Sequence, residues 1–519
     1  MAEGFRRAFW GLVLVAVMLG VWLRGTHLDR KVVWHDEAYT ALRASGFNGH
    51  DVVARVFDGR VRSPADLLYF QRPQPERGLG DVWRVLAEHP EHPPLYYLLG
   101  RWAMQATSTT IPALRGVAAA ASLLALPALY WLAWECCPAA RLGGLAIALF
   151  SLSPFHLLYA QEARQYSLWT LATLLTTAAL LRALRLPSRR TWAVYGLTLA
   201  LSLYSSLLTA LVVLGQLLYG LAVSGWRLPD SWRAWVIASG LALLSFAPWL
   251  GVLGQHYPAM TAQTSWMQSP LPWPDLFAKW GLHITALVLD LPLPPRFYAL
   301  YNVTVLPGAV LGAALLLLWF WRRGPRPARG LILLLVLLPA LGLILPDLLL
   351  GGQRSSISRY FIPSYLGLQV AGAYWFYVQG QRPQARFWAL VLVLVLSLGL
   401  GSGLASWGAP TWWNKLGGSA TVAIAATLHQ AERPLVVSTN TETNLGHLLA
   451  LAQELSVRAA SRRNDRLRLQ LTPAAALPVI APGFEPIFLF NPPPAWLEQW
   501  PTAQPLSSDW PRLYQVSLD

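Results

Sequence analysis

Asp36 and Glu37, within Trp34-His35-Asp36-Glu37-Ala38, stand directly after the first apolar segment of a chain that is apolar almost throughout. A carboxylate near hydrocarbon is costly to keep, so two at that place point to work rather than to filler. Neighbouring residues on a helix point about 100° apart, so the pair divides its tasks. One side chain faces a substrate while the other orients a loop or holds a cation; the bland alternative is a hydrated pair favoured by the dipole of a helix start. Two later stretches share the setting, each at the mouth of an apolar segment. His92-Pro93-Pro94-Leu95-Tyr96-Tyr97 enters its segment through prolines suited to a first helical turn. His92 therefore reads either as a wetted helix cap or as a ligand for a phosphate or a sugar hydroxyl. Glu88, His89 and Glu91 beside it leave a divalent metal open. In Tyr159-Ala160-Gln161-Glu162-Ala163-Arg164-Gln165-Tyr166, Glu162 and Arg164 fall at a turn between helices, flanked by Tyr159 and Tyr166. They read as an ion pair fixing that turn, or as a site where the guanidinium of Arg164 grips an anionic headgroup. Arg354 and Arg359-Tyr360, on a loop assigned to the outer side, run against the usual charge bias and are further candidate anion ligands. His256, Lys279 and His283 read as ordinary surface residues.

The elements that must position these residues are membrane helices. Of 519 residues, 55% are hydrophobic and only 13% charged, with a mean hydropathy of +0.40. A soluble globular protein carries roughly a quarter charged residues. A ruler of about 20 residues per span picks out 8–24, 113–134, 142–159, 166–183, 191–206, 207–225, 234–251, 300–321, 329–348, 360–378 and 387–404. With the shorter piece 93–106, interrupted by Arg101, this predicts a mainly α, polytopic bundle of about 11–13 helices. The net charge of +15 is almost wholly arginine, since Lys31, Lys279 and Lys415 are the only lysines. The arginines cluster in short loops at 6–7, 182–190, 226–233, 321–329 and 381–386. That pattern assigns those loops to the cytoplasm and places 160–165, 252–299, 349–359 and the tail after 404 outside. The alternation fails between residues 7 and 189 if 93–106 crosses fully, so that piece is expected to be a half-helix that returns. No basic, aromatic-studded soluble module is present to bind nucleic acid. Cys136 and Cys137 are adjacent, a spacing that suits neither a disulfide nor a zinc site, and read as inert thiols. Residues 9–23 read as a retained anchor helix rather than a cleaved signal.

Two domains are expected: 1–404, a transmembrane catalytic unit with outer loops 25–92 and 252–299, and 405–519, a small soluble α/β domain of about 90–110 residues. In the latter, 434–438 reads as a strand, 444–455 as an amphipathic helix and 484–491 as another strand. It has no phosphate-binding glycine loop, which argues against a nucleotide site.

Taken in order, the three patches resemble motifs of the bacterial family-39-like glycosyltransferases. These belong to the GT-C class, with the protein O-mannosyltransferases and the lipid A aminoarabinose transferase as relatives. Ala247-Pro248-Trp249 and Ser358-Arg359-Tyr360 are similar to that group too, and the resemblance covers about residues 8–380. It implies inverting transfer of a sugar from a polyprenyl- or dolichyl-phosphate carrier to a lipid, glycan or protein acceptor, at the outer face of a bacterial plasma membrane. It implies Asp36 as general base on the acceptor hydroxyl, with Glu37 in support. Glu162, Arg164 and Tyr166 fall on the second polar turn, and Arg359 matches a lipid-phosphate ligand; His92 completes the expected donor-binding set. Many relatives carry a histidine after the tyrosine in a stretch like Leu203-Tyr204-Ser205-Ser206, and this chain has none.

Two other classes compete. A transporter or flippase of lipid-linked sugars needs polar residues at mid-membrane in broken helices, whereas the charges here sit at segment ends. A non-catalytic assembly protein would keep its cellular activity with Asp36→Asn.

Overall fold

The computed structural model describes residues 2–224, 230–415, 417–441, 444–458, 466–473, 476–507 and 510–517; half of the arginine-bearing loop 226–233 lies outside them. Among the described residues, seven helices are long and apolar enough to cross a membrane. They are Arg6–Gly25, Ile111–Cys136, Tyr166–Arg185, Trp232–Gln255, Tyr298–Arg323, Arg326–Leu350 and Ala385–Gly408. The apolar segments at 191–206, 207–225 and 360–378 are helical as well, as Arg189–Leu203, Thr209–Ser224 and Ile362–Gln379. The chain is thus the mainly helical, multi-pass membrane protein expected.

Two segments differ from simple spans. Residues 142–159 form two helices, Ala140–Ser151 and Pro154–Ala160, bent by 66°. Pro154 disfavours helical backbone at Ser153, which is extended at φ −66°, ψ 119°. The break strips carbonyls of their helical partners inside an apolar environment. Arg24 takes them up: it donates to the carbonyls of Ser151 at 2.6 Å, Phe150 at 3.0 Å and Gly20 at 3.0 Å, and to Ser122 Oγ at 2.9 Å. The piece at 93–106 is the helix Leu95–Thr107, whose 13 residues rise about 20 Å, too short to cross a core of about 30 Å. Its Arg101 is buried and donates to the carbonyls of Ala44 and Arg77.

The compact units do not divide at residue 404. One consists of Met1–Thr26, Ala87–Tyr96 and Ala118–Trp407; the other of His27–Leu86, Tyr97–Val117 and Gly408–Asp519. The reason lies in the second unit's sheet. Strands β1 (Val61–Arg62), β2 (Leu435–Thr439), β3 (Arg468–Thr472), β4 (Ile487–Phe490), β5 (Gln504–Pro505) and β6 (Leu513–Val516) pair in the order β1-β3-β2-β4-β6-β5. β1 comes from the first loop and joins β3 antiparallel, Val61 opposite Gln470. β2 runs parallel to both β3 and β4 and is buried along its whole length, as a central parallel strand must be. Leu435, Val437, Ile487, Leu489, Trp496 and Val516 form the core on one face. The expected strand and helix at 434–438 and 444–455 are β2 and Asn444–Gln453, and the strand at 484–491 is β4. β3 was open to the same reading, since Arg466-Leu467-Arg468-Leu469-Gln470-Leu471 alternates polar and apolar residues.

Candidate active site

The acidic pair opens the helix His35–Ala44 in the second unit, and its two carboxylates have separate surroundings. Glu37 is fully buried. Arg115 grips it with both arms of its guanidinium, Nε to Oε1 at 2.8 Å and Nη2 to Oε2 at 2.6 Å. Glu37 Oε2 also accepts from the backbone N–H of Trp34 at 3.1 Å, which ties down the helix start. Arg115 then spends its other N–H groups on the carbonyls of Leu28 at 2.9 Å, Lys31 at 3.0 Å and Val32 at 3.3 Å. This carboxylate is occupied in holding the chain segment that precedes the helix. The two carboxylates of the pair thus have different surroundings, with Glu37 committed to Arg115 and the Trp34 N–H.

Asp36 is one-fifth exposed, and its Oδ1 lies 3.3 Å from His35 Nε2. Aromatic rings crowd the rest of the neighbourhood. Trp34 and His35 meet edge to face at 4.7 Å, and the ammonium of Lys415 stands 4.3 Å from the centre of the Trp34 ring. Arg115, the partner that makes sense of Glu37, went unread in the sequence. The signal was present, because a lone arginine inside the apolar run 111–136 calls for a carboxylate.

In the first unit, the turn at 160–165 is built from below. Gln161 Nε2 donates to the carbonyls of Leu23 at 2.6 Å and Thr26 at 2.8 Å, and Ser167 Oγ to the carbonyl of Tyr159 at 2.7 Å. The Arg164 N–H donates to the Glu162 carbonyl at 2.7 Å, and both side chains are buried. The turn at 358–361 docks on it through Ser358 Oγ and the Tyr159 hydroxyl, 3.0 Å apart. Docking brings Arg164 and Arg359 to one ring: their guanidinium carbons lie 5.9 Å and 5.5 Å from the centre of Tyr166. The two guanidinium groups therefore share the Tyr166 ring.

His92 belongs to a cluster with Glu91, whose Oε1 is 3.4 Å from His92 Nε2 and 3.8 Å from His89 Nδ1. Arg354 is paired within the chain: it donates to the buried Asp347 Oδ1 at 3.0 Å, while Ser355 donates to Oδ2 through its N–H and its hydroxyl. That carboxylate sits at the end of a span where the apolar run hid it. His283 is buried rather than on the surface, and burial holds its imidazole down to about 3, with the Lys279 charge adding. Among the described residues no group of three or more His, Cys, Asp or Glu side chains converges as a metal site.

Crystal structures of ArnT from Cupriavidus metallidurans share this fold along 99% of the chain and 98% of their own. The TM-score is 0.55 for the form bound to undecaprenyl phosphate and 0.51 for the apo form, each at 15% identity. The chain has the fold of the GT-C membrane glycosyltransferases, the class its motifs resemble. Residues 91–251 match the family described as dolichyl-phosphate-mannose-protein mannosyltransferase. The matched segment contains His92, Glu162, Arg164 and Tyr166, and leaves Asp36, Glu37 and Arg359 outside it. No curated protein matches the chain.

Proposed function

We propose that the protein transfers a sugar from a polyprenyl-phosphate carrier to an acceptor hydroxyl at the outer membrane face, with inversion at the anomeric carbon. The observation that carries this reading is the pair of arginines on Tyr166, a donor set suited to phosphate. The crystal structure of ArnT, bound to undecaprenyl phosphate, supports the same class of carrier. In the reaction the Asp36 carboxylate takes the proton of the acceptor hydroxyl as its oxygen attacks the anomeric carbon. The bond from that carbon to the phosphate oxygen breaks, and the lipid phosphate leaves with the electron pair. Arg164 and Arg359 neutralise the charge that grows on the leaving oxygen. Asp36 then passes its proton to water. A single displacement inverts the centre and needs no enzyme nucleophile, in keeping with the lack of a nucleophile motif.

The test is turnover of purified protein in nanodiscs against a panel of labelled polyprenyl-phosphate sugars. One donor consumed with sugar transferred is the expected result; folded protein inert across the panel overturns the reading. Arg359→Ala and Arg164→Ala should each weaken binding of the lipid-phosphate donor by roughly ten- to a hundredfold, as for a lost charge-assisted hydrogen bond of about 1.5–3 kcal/mol. Donor titrations that give wild-type affinity in both variants would remove the arginines from the phosphate site.

A further inference from the structure

The segment after residue 404 carries no motif of the resemblance, yet one of its side chains is built against the acidic pair. Its support begins in the sheet. Asn444 Nδ2 donates to Ser438 Oγ at 3.0 Å and to the Thr439 carbonyl at 2.6 Å, at the end of β2. Asn491, just past β4, donates from Nδ2 to Asn444 Oδ1 at 2.8 Å, and its own Oδ1 accepts from the Arg512 N–H at 2.6 Å. These amides pin the first turn of the helix Asn444–Gln453 to the carboxyl ends of two strands. Gly446 lets that helix close on the helix His35–Ala44: a Cβ there would come 2.6 Å from Tyr39 Cε2 and 3.2 Å from His35 Cβ.

The next residue is His447, buried, with its ring centre 4.9 Å from that of His35. The indole Nε1 of Trp510 donates to His447 Nε2 at 3.1 Å. An indole N–H can only donate, so Nε2 accepts and the imidazole proton sits on Nδ1. Gly417 makes the space, since a Cβ there would stand 3.0 Å from His447 Cε1.

We propose that His447 is a positioning residue of the acid–base site: held by Trp510, its ring backs His35, whose Nε2 in turn fixes the carboxylate of Asp36. The proposal rests on the reading of Asp36 as the base. Burial holds His447 down to about 3, with the charge of His35 lowering it further and that of Asp36 opposing, so it stays a neutral wall at working pH. The charged and titratable groups near His35 include Asp36, Glu37, Tyr39 and Arg43 on its own helix, Arg115 paired to Glu37, His447 from the facing helix, and Lys415 over Trp34.

The experiment compares His447→Phe, His447→Gln and Trp510→Phe in the full-length protein. His447→Phe keeps a ring but gives Trp510 no acceptor; it should lower kcat by on the order of tenfold or more, with donor KM unchanged, as a misplaced base does. It should also move the acid limb of the kcat–pH profile. His447→Gln, which restores an acceptor for the indole, should recover most of the rate, and Trp510→Phe should act in the same direction as His447→Phe without altering the helix. A second readout does not use activity: the pH midpoint for acylation of His35, read by mass spectrometry, should move in His447→Phe. Normal transfer by Asp36→Asn would sink the base reading alone. Folded His447→Phe and Trp510→Phe with wild-type kcat, acid limb and His35 midpoint would overturn the positioning role.

Discussion

Asp36→Asn is expected to lower sugar transfer by roughly two to four orders of magnitude while the protein folds and inserts as before. The amide has the size of the carboxylate and can still meet His35, but it cannot take a proton from the acceptor. General-base catalysis contributes roughly 10²–10⁴-fold, so the rate should fall by about that factor. The helix that carries Asp36 does not depend on it, because Glu37 and Arg115 hold the helix start through six hydrogen bonds of their own. Thermal unfolding should therefore be unchanged, within the ±0.5 kcal/mol or so of an ordinary substitution away from structural features. Initial rates with labelled donor, paired with an unfolding scan of the same preparation, make the check. A variant that turns over near the wild-type rate removes Asp36 as the base and leaves the arginine pair to be explained otherwise.

The residues of the candidate site stand out in the sequence because they break local patterns. Asp36, Glu37, Glu162, Arg164 and Arg359 are charges at the ends of apolar runs, where the solvation penalty makes chance occupancy costly. β2 and β4 were legible as short apolar runs between turn residues. The missed features depend on partners distant in sequence. Arg115 meets Glu37 across 78 positions, and Gln71 donates to the carbonyl of Leu449 across 378. β1 has only two residues and no alternation of its own to announce it; its pairing with β3 is what draws the first loop into the same unit as the tail. The partner of Arg354 is hidden for a related reason, since Asp347 lies inside a run whose mean hydropathy of 2.5 masks one carboxylate. The bend at 151–154 was written in the sequence as Ser-Leu-Ser-Pro, but length and hydropathy over 142–159 outweighed one proline.

Arg115→Met is expected to give the largest loss of stability. Breaking a buried pair by removing one partner costs about 3–5 kcal/mol, since the remaining charge has no compensation. Here Glu37 and Arg115 are both essentially without solvent contact. The same substitution also strips the donor from the carbonyls of Leu28, Lys31 and Val32. Glu37→Gln is milder, because the amide oxygen still accepts from Arg115 and the arginine keeps its three carbonyls, which leaves the cation bonded. The double variant Glu37→Met with Arg115→Met separates the two costs. It has no buried charge, so it should be more stable than Arg115→Met alone, yet it leaves the carbonyls unsatisfied and should stay below wild type by about 1–3 kcal/mol for each carbonyl left without a donor. The expected order of unfolding temperature is therefore wild type, Glu37→Gln, the double variant, then Arg115→Met. Activity should follow the same order, because the segment that Arg115 grips leads directly into the helix turn carrying Asp36, and a base displaced by 1 Å costs about a hundredfold. Were Arg115→Met as stable as wild type, the pair would not be holding the chain at all, and Glu37 would return as a residue free to act in the reaction.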